Sequence, residues 1–298
     1  MPAVPIAAPT IEPGLQPGPD SGLRSVEPSY GGPVRVAFVG KGGAGKSSIA
    51  GVFARLLARD GAQVLALDSD PMPGLAYSLG VPNRETGIPA EAVEEYEDDS
   101  GRRRHRLRAG LDAGAAIEQY STVSPDGVRL LQLGKTRGVK GENSLSHQGY
   151  QAILDALQKQ RSTEPDSTGS LADWAVVGDL PGGTRQPFFG WGRFARTILV
   201  VVEPTPASLL SGRRLARLAE KASAPHVVAI ANKTREEADA DLVQARTGLQ
   251  VIGEVPFDPA QREADRRGVA LLDLDSDSPM VAAVTRLVST LSTKEPVR

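Results

Sequence analysis

A chain of 298 residues with 40% hydrophobic content and 32 glycines can bury one substantial core, and a single large α/β domain suits that length better than two. The formal net charge of −2 gives none of the overall basic excess that non-specific nucleic-acid binding draws on. The complete lack of cysteine excludes disulfides, thiolate zinc sites, cysteine nucleophiles and iron–sulfur ligation by this chain.

Residues 1–33 carry prolines at 2, 5, 9, 13, 17, 19, 28 and 33 and show no apolar periodicity. Such a segment cannot offset its ordering entropy by burial, so a disordered tail is expected, followed by one domain over 34–294. Residues 34–39 (VRVAFV) form a short apolar run that ends in a glycine-rich loop, and 47–59 follow with Ile49, Val52, Phe53, Leu56 and Leu57 at helical spacing. Further strand-like runs stand at 63–67, 128–133, 174–177, 197–202, 226–231 and 249–255, with helical patterns between most of them. That alternation predicts an α/β fold with a doubly wound, mostly parallel sheet flanked by helices. Between 80 and 126 the pattern weakens. The acidic run Glu94, Glu95, Glu97, Asp98, Asp99 is followed by the basic run Arg102 to Arg104, His105, Arg106, Arg108, which suggests an inserted, partly mobile, solvated loop. No run approaches about 18 uninterrupted apolar residues, and the N-terminus lacks the basic start and apolar centre of a secretory signal, so a cytoplasmic location is expected.

The eight residues from Gly40 to Ser47 fit G-x-x-x-x-G-K-S without a gap, between a strand and a helix. A triphosphate concentrates negative oxygens, and the loop Gly42, Gly43, Ala44, Gly45 lets backbone N–H groups turn inward to meet them. The helix N-terminus adds its positive end, Lys46 reaches the outer phosphates, Ser48 lies in the first helical turn, and the Ser47 hydroxyl is placed to ligate Mg²⁺. Carboxylates are also needed at strand ends facing the loop. Asp68-Ser69-Asp70 and Asp179-Leu180-Pro181-Gly182 both qualify. A guanine-reading N-K-x-D site would place an aspartate at 235. Here the run is Asn232-Lys233-Thr234-Arg235, so ATP is favoured.

The run Gly40-Lys41-Gly42-Gly43-Ala44-Gly45-Lys46-Ser47 resembles the deviant Walker A loop of the group that contains MinD, ParA, ArsA, CooC and the nitrogenase iron protein. The resemblance covers roughly 34–291. It implies a P-loop ATPase that forms a homodimer on ATP binding, with Lys41 reaching the partner's phosphates. It further implies that Asp70 orients the attacking water, that Asp68 and Asp179 lie at Mg²⁺, and that the Gly182 amide senses the γ-phosphate. Asn232 is the implied adenine contact, and Pro256-Phe257-Asp258 closes the base pocket.

The segment 64–80 (VLALDSDPMPGLAYSLG) is especially similar to CooC-like ATPases, which insert nickel into carbon monoxide dehydrogenase, yet their C-x-C metal pair is missing. Glu142 and His147 in the corresponding stretch are read as solvated or capping residues. Two functions remain: a MinD/ParA-like ATPase switch that recruits or positions an unknown protein partner, or an accessory ATPase for metallocentre maturation whose metal ligands come from another chain. Charge does not support a DNA or membrane surface. Arg213, Arg214, Arg217, Arg262, Arg266 and Arg267 are the basic candidates for DNA, read as solubility features. The apolar stripe Val281, Val284, Leu287, Val288, Leu291 is read as core packing rather than a lipid contact.

Overall fold

Short runs of aliphatic residues, buried at every position, form the centre of the molecule. The computed structural model describes residues 32–70, 74–83, 87–134, 142–161, 171–183, 188, 190–222 and 226–292, with side chains over 145–159 in the helix that spans 142–161. Of the tail expected over 1–33, residues 1–31 lie outside the described residues. In chain order the strands are β1 (Arg35–Gly40), β2 (Val64–Asp68), β3 (Val93–Glu97), β4 (Arg103–Leu107), β5 (Thr122–Val123), β6 (Arg129–Gln132), β7 (Ala175–Asp179), β8 (Thr197–Val202), β9 (His226–Thr234) and β10 (Val251–Pro256). The helices are α1 (Lys46–Arg59), α2 (Leu75–Leu79), α3 (Ala113–Tyr120), α4 (Glu142–Arg161), α5 (Pro206–Lys221), α6 (Asp239–Thr247), α7 (Pro259–Arg267), α8 (Leu271–Leu274) and α9 (Pro279–Ser292).

Eight strands form one sheet in the order β10-β9-β8-β1-β7-β2-β6-β5. Every pairing in it is parallel except the short β5–β6 edge. Strands covered on both faces should be apolar throughout rather than alternating, and β1, β2, β7 and β8 are buried along their whole length. The period of two still sorts their side chains. Val36 and Phe38 of β1 join one core with Ile49 and Phe53 of α1 and Val284, Leu287 and Leu291 of α9. Ala37 and Val39 join the other, with Ile117 of α3, Tyr150 and Ile153 of α4, Leu215 of α5 and Val243 of α6. The stripe on α9 is therefore core, as its spacing suggested.

The segment 80–126 departs from the loop expectation. β3 and β4 form an antiparallel hairpin in which Glu94 stands opposite Arg106, Glu95 opposite His105 and Glu97 opposite Arg103. The acidic and basic runs neutralise each other across the strands, with Arg106 Nε bonding Glu94 at 2.7 Å and Arg104 Nε bonding Asp98 at 3.0 Å. An acidic strand paired with a basic one, apolar chiefly at the Val93–Leu107 root, carries no period-two signal, which is why it reads as a loop in sequence.

Because β1 lies between β8 and β7 while its helix leads on to β2, the connections diverge at β1. The crevice at the carboxyl ends of strands around such a point is where ligands bind in open α/β sheets. Gly40, Asp68, Asp179, Asn232 and Pro256 all lie at or near that edge.

Candidate functional site

The loop 40–45 begins at the end of β1 and closes on itself through Ala44 N–H donating to Lys41 O at 3.1 Å. Gly45, at φ 92°, is the residue before α1. A Cβ there would stand 2.3 Å from Asn232 Nδ2, so both the left-handed backbone and the close approach of β9 require glycine. No side chain caps α1 and no acidic residue occupies its first turn. Its N–H groups are thus left for an anion. Lys46 is 7% exposed, with Ser47 and Ser48 beside it in the first turn.

Two side chains at the end of β9 turn the loop's carbonyls away from that cradle. Asn232 Nδ2 donates to Ala44 O at 2.6 Å, and Lys233 Nζ donates to Gly43 O at 2.8 Å while pairing with Glu203 Oε1 at 2.7 Å. In a trans peptide the C=O and N–H point in opposite directions. Fixing the Ala44 carbonyl outward therefore aims the Gly45 N–H inward. Lys233 is the one non-glycine residue with positive φ (59°) among the described residues, a backbone state held only where its surroundings impose it. In sequence this run points to Asn232 and to position 235, but not to the parts of Lys233 and Glu203, for which an Asn-Lys pair at a strand end is the available signal.

Facing the loop, Asp68 and Asp179 lie directly opposite each other on β2 and β7. Asp68 accepts from the N–H groups of Asp70 and Leu75, both at 3.2 Å. Burial pushes both carboxyl groups well above the ordinary carboxylate range, and the Asp179 charge beside Asp68 adds to the effect on Asp68. Asp179 Oδ2 accepts from Ser47 Oγ at 2.5 Å, while its Oδ1 is buried with no hydrogen-bond partner. An orphaned carboxylate oxygen next to a serine hydroxyl and a second carboxylate suits a hard divalent cation with oxygen ligands. Among the described residues no group of three or more His, Cys, Asp or Glu forms a metal cage. That is consistent with an ion completed by water and substrate oxygens. Gly182 lies against the loop: a Cβ on it would be 3.2 Å from Gly42 N. Asp70 is half-buried, and Lys41 and Gly42 are exposed.

A cavity of about 480 Å³ continues from the loop, lined among others by Gly43, Lys46, Ser47, Asn232, Pro256 and Phe257. The Phe257 ring carries the Arg235 guanidinium on a face, 4.1 Å from its centroid. The Asp258 carboxylate also reaches this cavity, but both of its oxygens accept from backbone, Oδ1 from Ala260 at 2.8 Å and Oδ2 from Met280 at 3.0 Å. It caps α7 and the start of α9. Gln261 and Arg262 of α7 line the same cavity and were not singled out as pocket residues in the sequence.

The secondary candidates are less concentrated. Arg266 and Arg267 both pair with Glu263 on their own helix, at 2.6 and 2.5 Å. Arg213, Arg214 and Arg217 are exposed on α5. His147 packs edge-on against Trp191 at 5.1 Å, and burial lowers its pKa. The Glu142 side chain lies outside the described residues. No described helix is long and apolar enough to cross a membrane.

A glycine-rich loop opening a helix at the divergence point of a parallel sheet, with two buried carboxylates facing it, defines a P-loop nucleotide-binding protein. Residues 36–272 match the CobQ/CobB/MinD/ParA nucleotide-binding domain, and the chain belongs to that family, within the group of P-loop ATPases that includes MinD, ParA and CooC. It is 28% identical over 253 residues to the carbon monoxide dehydrogenase accessory protein CooC of Rhodospirillum rubrum, covering 81% of this chain and 90% of that one. It is 27% identical over 305 residues to an iron–sulfur cluster carrier protein of Deinococcus radiodurans, covering 93% and 78%. Among solved structures, a ParA family ATPase from Chlorobium tepidum aligns with a TM-score of 0.63 at 18% identity, covering 86% of this chain and 98% of that one. The septum site-determining protein MinD of Pyrococcus horikoshii, solved with Mg-ADP, aligns with a TM-score of 0.60 at 19% identity, covering 88% and 98%.

Proposed function

We propose that this chain is an ATP-binding and hydrolysing switch that dimerises around its nucleotide and recruits or positions a protein partner. The observation that carries the reading is the pairing of an uncapped α1 N-terminus with Ser47 and Asp179, whose second oxygen is buried without a partner. The loop N–H groups and Lys46 hold the phosphates, and Ser47, Asp179 and Asp68 hold Mg²⁺, which supplies charge neutralisation at the phosphate oxygens. Asp70 accepts a hydrogen bond from the attacking water and orients it toward the γ-phosphate. Lys41, exposed at the loop's edge, reaches the phosphates of a second copy, so turnover requires the dimer. The Gly182 amide contacts the γ-phosphate, and loss of that contact on hydrolysis releases the loop after β7. With Asn232 Nδ2 engaged by Ala44 O, its Oδ1 accepts from the exocyclic amine of adenine, while Arg235 replaces the carboxylate that guanine requires.

Calorimetry with Mg-ATP and Mg-GTP, followed by phosphate release, tests this. Binding of ATP in preference to GTP, strongly weakened in Lys46→Ala, is expected; no binding of either nucleotide overturns it. A second reading, an accessory ATPase for metallocentre maturation, is favoured by the similarity to CooC over most of both chains. With no cysteine here, the metal ligands come from a partner chain. Purified chain that takes up no nickel alone but forms an ATP-dependent complex with a cysteine-bearing maturation partner would support it; ATP-independent nickel binding by this chain alone would count against it.

A further inference from the structure

Tyr150 of α4 is a fully buried phenol whose oxygen shares a 2.9 Å hydrogen bond with Ser69 Oγ. Phenylalanine would fill the same space, and a buried hydroxyl without a partner is penalised, so the oxygen is explained by Ser69. Ser69 stands between Asp68 and Asp70, and its own N–H donates to Asp179 O at 3.0 Å. The Tyr150 ring also lies 6.0 Å from Trp191, on the segment that follows β7 and the 182–183 glycines. His147, one turn earlier on α4, meets Trp191 edge-on. One helix thus touches both chain segments that leave the carboxylate strands. On the neighbouring position a Cβ at Gly149 would stand 2.8 Å from Val93 Cγ2 and 2.9 Å from Ile88 Cγ2. The helix therefore packs closely against Val93 and Ile88 at the root of the β3–β4 hairpin.

We infer that Tyr150 is a positioning residue that couples Ser69, and through it the adjoining Asp70, to Trp191 in the segment before β8, so that a shift at Asp70 is transmitted to Trp191. The inference rests on the ATPase reading above and adds a residue to it. Tyr150 touches no phosphate; it acts through Ser69, so its loss should leave nucleotide affinity intact and lower the chemical step, because misplacing an orienting acceptor by a fraction of an ångström slows turnover without removing binding contacts.

The test compares unmodified protein, Ser69→Ala, Tyr150→Phe and the double variant. Mg-ATP affinity is measured by calorimetry and hydrolysis under single turnover. Trp191 fluorescence is followed in a Trp174→Phe background, which leaves Trp191 as the sole tryptophan of the two in the chain. Expected are affinities within about threefold of the unmodified protein and single-turnover rates lower by about tenfold in each single variant. The double variant should be no slower than the worse single one, since both remove the same link. The difference in Trp191 emission between ATP and ADP should shrink in Tyr150→Phe. Unchanged turnover in either single variant, or losses that multiply in the double one, overturns the coupling. Should Tyr150→Phe fail to fold, Ser69→Ala carries the same affinity-against-rate test with Tyr150 in place. Failure of the unmodified protein to bind Mg-ATP removes the ATPase reading and the inference with it. Binding throughout with unaltered rates removes the coupling alone.

Discussion

At the residue scale, the two lysines of the loop stand in different environments. Lys46 is nearly buried in the first turn of α1, whereas Lys41 is exposed. Lys46→Ala should lower Mg-ATP affinity by 100-fold or more, since a charge-assisted contact to phosphate in a partly desolvated cradle is worth about 3 kcal/mol. Lys41→Ala should leave affinity within about threefold and remove phosphate release, and normal release would contradict a role across the dimer. The Lys233–Glu203 pair makes a third case. Glu203→Gln keeps the shape but removes the charge that holds Lys233 against Gly43 O. Affinity for Mg-ATP should fall about three- to tenfold, in line with one charge-assisted bond weakened at a half-exposed site, and calorimetry at two salt concentrations reads it. Unchanged affinity would show that the loop holds its shape without the pair. The loop was legible in sequence because its chemistry is local: glycine, lysine and serine at fixed spacing. The clamp on its outer side was not, because Lys233 and Gly43 lie 190 positions apart and meet only when β9 takes its place in the sheet.

At the element scale, α1 is fastened at its far end by a buried arginine. Arg55 pairs with Asp126, in the turn before β6, and with both oxygens of Asp273 on α8, at 3.0 and 2.6 Å. Arg59 adds a 3.0 Å bond to Asp126. Partial burial works to raise the Asp126 pKa, yet the two guanidinium groups prevail and hold it below the ordinary carboxylate value. Asp126 is therefore more acidic in the folded chain than in the unfolded one. Its contribution is fully present above the unfolded value of about 3.9 and is lost as pH falls through the lower folded value. Asp126→Asn should cost about 1–3 kcal/mol at neutral pH and flatten the loss of stability below about pH 4, measured as urea unfolding against pH. An unaltered acid limb would dismiss the pair as a fastener. None of the three partners was visible beforehand. Arg55 lies off the apolar stripe of Ile49, Val52, Phe53, Leu56 and Leu57, where periodicity predicts exposure, and only the packed structure shows it buried and reaching two acidic residues 71 and 218 positions away. Among the seven strand-like runs, those of β1, β2, β7 and β8 were the most legible because strands buried on both faces are largely apolar along their length, whereas the charged hairpin had no such signature.

For the whole molecule, the sheet brings the strand ends with Gly40, Asp68, Asp179 and Asn232 onto one edge, and the loop and the cavity of about 480 Å³ beside it open there together. Alternation of strands and helices made the doubly wound class legible, but not the order of strands, because pairing β1 with β7 and β8 depends on contacts more than 130 residues apart. Lys41 is exposed at this edge, as a residue that met the phosphates of a second copy would have to be. In the proposed dimer a nucleotide enclosed between two copies would stabilise the assembly only while the γ-phosphate is present, so hydrolysis would set its lifetime. Removing Asp70, the proposed water-orienting carboxylate, should then separate assembly from chemistry. Asp70→Ala with Mg-ATP should run at twice the monomer mass in light scattering, persist for many times the unmodified protein's dimer lifetime, and return to monomer in Mg-ADP. Adding Lys41→Ala to it should abolish the dimer while calorimetry still reports ATP bound, because the cross-contact is lost and the cradle is not. Asp70→Ala that stays monomeric at saturating Mg-ATP would refute the enclosed-nucleotide dimer while leaving the P-loop and its ATP site intact.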